Sequence, residues 1–195
     1  RGFQNKLPLL RLFVAMPFVL TFVSVFFVAG AYFQRNYIFP DLCTFDTFGL
    51  DYFIETRNAE LELTSPPTEW KNHRDGRVAR VTFLKATYPD VAFDEPFPNW
   101  TGYQNLEFEV FSPADTALRL TIRIEDIHHN DLFEDRYTKS FTVTPGFNII
   151  KIPLDSVKIA PAGRLMDMQN IYAIHLHAFK IERPVTVYFD SLRLR

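Results

Sequence analysis

From Leu12 to Phe33 the chain runs for 22 residues without a charge, and this stretch limits what the remainder can be. Rich in Phe, Val, Leu and Ala, it would reach about 33 Å as a helix at ~1.5 Å per residue, enough to cross the hydrocarbon of a bilayer. A helix covering a water-soluble core repeats polar residues along one face. Here only Thr21 and Ser24 interrupt the run, and both hydroxyls can bond back to helix carbonyls. The spacing predicts a membrane helix over residues 12–33. Pro8 and Pro17 are compatible with it, because a kink in a membrane helix is satisfied by local adjustment.

Charge on either side sets the orientation. Arg1, Lys6 and Arg11 precede the run, whereas Asp41, Asp46 and Asp51 follow it. The excess of positive charge before the helix places residues 1–11 in the cytoplasm and the chain beyond about residue 36 on the far side. The expected location is the bacterial inner membrane, with the C-terminal domain in the periplasm. Tyr32, Phe33 and Tyr37 fall where an interfacial aromatic belt belongs, and Arg35 can snorkel. A cleavable secretory signal is the competing reading, because Ala29-Gly30-Ala31 has the small-x-small form a signal peptidase accepts. The length of the run favours a retained anchor. Residues 34–45, QRNYIFPDLCTF, read as a connector too short and too aromatic to be a flexible linker. The domain of residues 46–195 is therefore expected close to the lipid.

Four of the 21 basic residues lie in residues 1–35, and the other 17 face all 23 acids, a net −6 for the external part. So acidic a domain is a poor partner for nucleic acid, which needs a basic face. The single Cys43 excludes an intramolecular disulfide. The domain must then be stable through its core, and a chain of this length buries roughly two-thirds of its unfolded surface.

A period of two dominates from residue 78 onward. LEFEVF puts Leu106, Phe108 and Val110 opposite Glu107 and Glu109; LRLTIRIE puts Leu118, Leu120, Ile122 and Ile124 opposite Arg119, Thr121, Arg123 and Glu125. These are half-buried strands. Turn signals separate them at Ser112-Pro113-Ala114-Asp115, Pro145-Gly146 and Pro161-Ala162-Gly163. The pattern predicts an all-β, two-sheet antiparallel jelly-roll sandwich behind the single N-terminal helix. In the last strand Val187 and Phe189 share one parity while Leu192 and Leu194 take the other. A bulge at Asp190-Ser191 would restore the register.

Five phrases stand in order: PNWTGYQNLEFEVFSP, LRLTIRIEDIHHND, DRYTKSFTVTPGFNIIKIPL, RLMDMQNIYAIHLHAF and VYFDSLRL. Together they resemble the galactose-binding-like β-jelly-roll domains, in particular carbohydrate-binding modules related to family 11 and the similar domain of complex I intermediate-associated proteins. The resemblance covers roughly residues 70–195 and implies a non-catalytic domain whose concave sheet face holds a ligand. It also implies a structural calcium, with Asp190 matching the final-strand ligand and Asp46, Glu60 and Glu62 as candidates for the others. Calcium requires six to eight oxygens.

A sugar site needs an aromatic face together with planar donors and acceptors. The wet strand faces offer Arg119, Arg123, Glu125, His175 and His177, with Tyr172 and Tyr188 as further rings. Trp100 and Tyr103, opening the strand at Leu106, are rim or core candidates that double as a platform. EDIHHNDLFED (125–135), with His175 and His177 two residues apart, admits a metal reading. A hairpin loop capped by Asp126, Asn130 and Asp131, with Asp135-Arg136 as an exposed ion pair, explains the same residues. The chain has seven glycines, no nucleophile elbow and no phosphate-cradling loop.

Two functions from different classes follow. The first is a membrane-anchored accessory subunit whose helix packs on other membrane protein subunits, for example of a respiratory or photosynthetic complex, through the small residues Ala29, Gly30 and Ala31. The alternative is a membrane-tethered carbohydrate-binding module, or an assembly factor of a membrane complex.

Overall fold

The apolar run forms one helix, α1 (Leu7–Ile38), in a computed structural model that describes residues 7–46, 49–71, 73 and 76–195. Of the segment expected in the cytoplasm, residues 1–6 lie outside the described part. Within α1, Met16–Ile38 is long and apolar enough to cross a bilayer, with a mean hydropathy of 2.0. The Thr21 hydroxyl donates to the Pro17 carbonyl at 2.8 Å and the Ser24 hydroxyl to Leu20 at 2.9 Å, as the sequence predicts. Phe18, Phe22 and Phe26 project outward. Pro40 disfavours helical backbone at Phe39, and the helix stops there.

The remaining strands pair antiparallel in two sheets. The first sheet orders β3 (Ala59–Thr64), β4 (Val78–Phe83), β11 (Val185–Leu194), β6 (Asn105–Ser112) and β9 (Gly146–Pro153), with β1 (Asp41–Cys43) also on β11. The second orders β2 (Ile54–Arg57), β5 (Asp90–Asp94), β10 (Ile171–Ala178), β7 (Leu118–Asp126) and β8 (Tyr137–Val143). A short helix, α2 (Leu154–Lys158), follows β9. The alternation works as expected: Leu106, Phe108 and Val110 meet Leu120, Ile122, Ile124, Ile174 and Leu176 between the sheets, all buried.

The expected bulge is present. Asp190 pairs with Glu109 and Arg193 with Glu107, so β11 carries one extra residue, and Ser191 takes a left-handed φ of 52°. Phe189 before the bulge and Leu192 after it thereby both reach the core. The neighbour of β11 on one edge changes at the same point, from β4 up to Phe189 to β1 at Leu192 and Arg193.

The expected connector is a correction. Residues 34–38 continue α1, and Asp41–Cys43 is a strand of the first sheet, so the sandwich begins before residue 46. Aromatic packing is the reason. The Phe39 ring lies 4.0 Å from Phe97 and 5.4 Å, edge-on, from Tyr103. Tyr32 meets Phe53 edge-on at 5.1 Å and donates its hydroxyl to the Glu95 carboxylate, while Arg35 Nη1 donates to the Glu95 carbonyl at 2.9 Å. Cys43 is buried, and burial pushes its thiol up to about 12.

Candidate functional site

Pairing of β5, β10, β7 and β8 lines up their outward residues in rows. His175 stands between Ala92 and Arg123, His177 between Asp90 and Thr121, and Arg123 beside Thr138. Because alternate residues of a strand share a face, the outer surface of the second sheet is almost entirely polar. A cleft of about 620 Å³ opens on it, lined by Arg57, Tyr88, Asp90, Arg123, Phe133, Arg136, Thr138, His175 and His177.

Ion pairs fix the floor of this cleft. Asp90 Oδ2 lies 3.0 Å from His175 Nδ1 and 3.6 Å from Arg57 Nη2. Arg123 Nε donates to Glu125 Oε2 at 2.5 Å, and the His129 ring stands 3.5 Å from the same oxygen. Burial pushes the His177 imidazole below its ordinary pKa, which favours its neutral form. Burial likewise raises the Asp94 carboxyl, on the same face.

Two rings that the strand pattern does not reveal, Tyr88 and Phe133, line the cleft, and Phe179 packs on the first of them. Tyr88 is 54% exposed and lies 5.2 Å from Phe179 and 6.0 Å from His177. Phe133 is 66% exposed, with the Arg136 guanidinium 5.2 Å over it. All three rings sit in segments between strands, where periodicity carries no information.

Arg164 holds one wall in place. It grips Asp126 with two nitrogens, at 2.6 and 2.9 Å, and Asp135 with Nε at 2.5 Å. Both carboxylates are buried, so Asp135 is not the exposed partner of Arg136 that the sequence suggested. Arg164, with the Asn130 amide, holds Asp135 down to about 2. Burial alone would raise Asp126, but Arg164 and the Asp167 amide outweigh it and keep that carboxyl low. The loop caps at Asp126 and Asn130 form as expected, accepting from the His128 and Leu132 amides.

The structure brings Arg123, His175 and His177 together, with Glu125 beneath them. Arg119 lies further along β7, exposed, opposite Thr142 and outside the cleft. Trp100 is 1% exposed and donates Nε1 to the Phe97 carbonyl at 2.8 Å, and Tyr103 packs on Phe39. Both close the end of the core, away from this cleft, beside a separate cavity of about 360 Å³. Tyr188 belongs to the opposite sheet and Tyr172 to a groove beside Tyr32, so neither lines the cleft. Ala31 is buried against its own domain, in contact with Gly49 rather than offered to a second subunit.

The expected calcium ligands do not converge. Asp190 Oδ2 lies 3.0 Å from His73 Nε2 and its Oδ1 accepts the Ser191 amide at 2.7 Å. Asp46 accepts the Arg77 amide at 2.5 Å, Glu62 pairs with Arg80 at 2.9 Å, and Glu60 is exposed. Among the described residues no group of three His, Cys, Asp or Glu side chains is placed to hold a metal.

No family model and no curated protein matches the sequence. Solved structures do. The family 11 carbohydrate-binding module from Clostridium thermocellum, in complex with a β-1,3-1,4-mixed-linked tetrasaccharide, has a TM-score of 0.52 at 18% identity, over 73% of this chain and 88% of that one. The family 30 module of a cellulosomal cellulase from the same organism scores 0.52 at 15% identity, over 73% and 86%. An exo-β-agarase scores 0.63 at 14% identity over 80% of this chain, which spans only 25% of the agarase. The likeness is one of fold. Behind its apolar helix, the chain has the jelly-roll sandwich of the carbohydrate-binding modules.

Proposed function

We propose that the chain is a non-catalytic, membrane-tethered glycan-binding module, with a polysaccharide segment lying in the cleft of the five-stranded sheet. One observation carries this reading: a cleft lined by the polar side chains of Arg123, His175, His177 and Asp90 also presents the exposed rings of Tyr88 and Phe133. Such rings cover the apolar side of a sugar, and the floor supplies donors and acceptors for its hydroxyls. Resemblance to modules solved as carbohydrate binders supports the same ligand class.

The helix gives the tether. Its outward Phe18, Phe22 and Phe26 suit lipid, and the flanking charges favour a cytoplasmic N-terminus with the sandwich on the periplasmic side of an inner membrane. The contacts of Ala31, Tyr32 and Arg35 with the sandwich favour a retained anchor over a cleaved signal. Of the small residues expected to pack on another subunit, Ala31 is used internally, while Ala29 is exposed and Gly30 half-buried. Calorimetry on the full chain in detergent, across neutral and acidic oligosaccharides, tests the ligand. Absence of binding to any of them refutes the reading. Reporter fusions at either end test the topology.

A further inference from the structure

We propose that the cleft is selective for an acidic glycan, one bearing a carboxylate or sulfate on its sugar rings. The inference rests on the glycan-binding reading and follows from how the charges of the cleft are already used. Asp90 is shared by His175 and Arg57, and Arg123 is committed to Glu125. Arg136 is left over. It lies half-buried in the cleft wall, and among the described residues it has neither an ion-pair partner nor a hydrogen bond from its Nε. Burial, and then the neighbouring Arg123, disfavour its charge, and the attraction of Glu125, already paired with Arg123, offsets this only in part.

An anion gives a guanidinium in that position a Coulomb attraction and a two-pronged hydrogen bond that a neutral sugar hydroxyl does not supply. Phe133 holds Arg136 from one side through a cation–π contact, which positions it at the cleft without neutralising it. Its planar fork of donors matches a carboxylate or sulfate edge. The −6 charge of the domain opposes a polyanion only through solvent, where screening sets in over ~8 Å at physiological salt. Arg136 acts at contact distance, so the local term decides.

Full-length protein in detergent is titrated at physiological salt with four probes: oligogalacturonate, its fully methyl-esterified form, a sulfated neutral oligosaccharide and polyphosphate. Oligogalacturonate or the sulfated sugar is expected to bind at least tenfold more tightly than the ester, the pair separating carboxylate from sulfate recognition. Arg136→Gln should remove that preference and Arg136→Lys retain part of it, each with an unchanged melting temperature. Equal binding of the esterified sugar overturns acidic selectivity while leaving the glycan reading intact, and equal binding of polyphosphate overturns it as mere charge attraction. If no sugar binds, both fall. Should Arg136→Gln melt early, the ester comparison on the unaltered protein still decides.

Discussion

A Cβ placed on Gly49 would lie 3.4 Å from the Ala31 Cβ, so the outer end of α1 touches the sandwich backbone with no side chain between them. Gly49 also holds a φ of +82°, which L-residues rarely adopt. Ala31→Leu must then push the helix off this contact. Overpacking of this kind costs about 1–3 kcal/mol. Denaturant unfolding of the full chain in detergent should show that loss, whereas Ala29→Leu, at an exposed position, should change little.

Removing a cleft ring should weaken binding rather than folding. Tyr88→Ala deletes an exposed ring, and losing the apolar contact of one ring face is worth about 1.5 kcal/mol, roughly tenfold in Kd. Trp100→Ala should do the reverse, leaving an unfolding-prone protein, because that indole is core. Calorimetry and thermal melts on the two variants separate these outcomes.

The Arg164 clamp predicts an acid limb in stability. The Asp135 carboxyl is held down to about 2, chiefly by Arg164. A carboxyl lowered in the folded state contributes stability that is complete above its unfolded value of about 3.9 and is lost as pH falls toward the folded value. Melting temperature should therefore drop between about pH 4 and pH 2. Asp135→Asn should flatten that part of the profile, and no flattening would mean the clamp is not the source.

His177 predicts the opposite protonation behaviour from an exposed imidazole. Burial lowers its pKa, so the unfolded chain takes up a proton near pH 6.5 before the folded one does. The resulting loss of stability begins as pH falls through about 6.5 and ends below the folded value. Ring-proton NMR should place the His177 midpoint below the ~6.5 of a free imidazole, and an equal or higher midpoint contradicts the buried setting.

At the β11 bulge, Ser191 sits in left-handed backbone that β-branched residues resist. Ser191→Val should destabilise the sandwich by about 2 kcal/mol, while Ser191→Gly should be tolerated. Chemical denaturation of both variants tests this, and equal stability would mean the bulge relaxes.

Strand faces and the bulge were readable because both follow from a period of two: the flip from Phe189 to Leu192 had to be absorbed somewhere. Half of the candidate site was readable for the same reason, since Arg123, His175 and His177 lie on the wet faces of regular strands. The rings were not. Tyr88, Phe133 and Phe179 occupy connections, and only the pairing of β5 with β10 brings Tyr88 to His177. Arg164 was equally hidden, standing 38 residues from Asp126 and 29 from Asp135 in the chain. Trp100 was readable as core or rim, an aromatic beside a strand that the fold uses to seal its end. Residues 34–45 misled because the sequence shows aromatic residues there without showing that Phe39 stacks on Phe97.

The junction of α1 with the sandwich removes a hinge where a tethered receptor ordinarily has one. If α1 spans a bilayer, a tilt or rotation that lipid thickness imposes on it reaches the sandwich through the contacts of Ala31, Tyr32 and Arg35. On the tethered reading the bearing of the cleft against the membrane plane then follows the helix. Polymer strands running along the cell surface and strands standing away from it would meet the same rings at different angles.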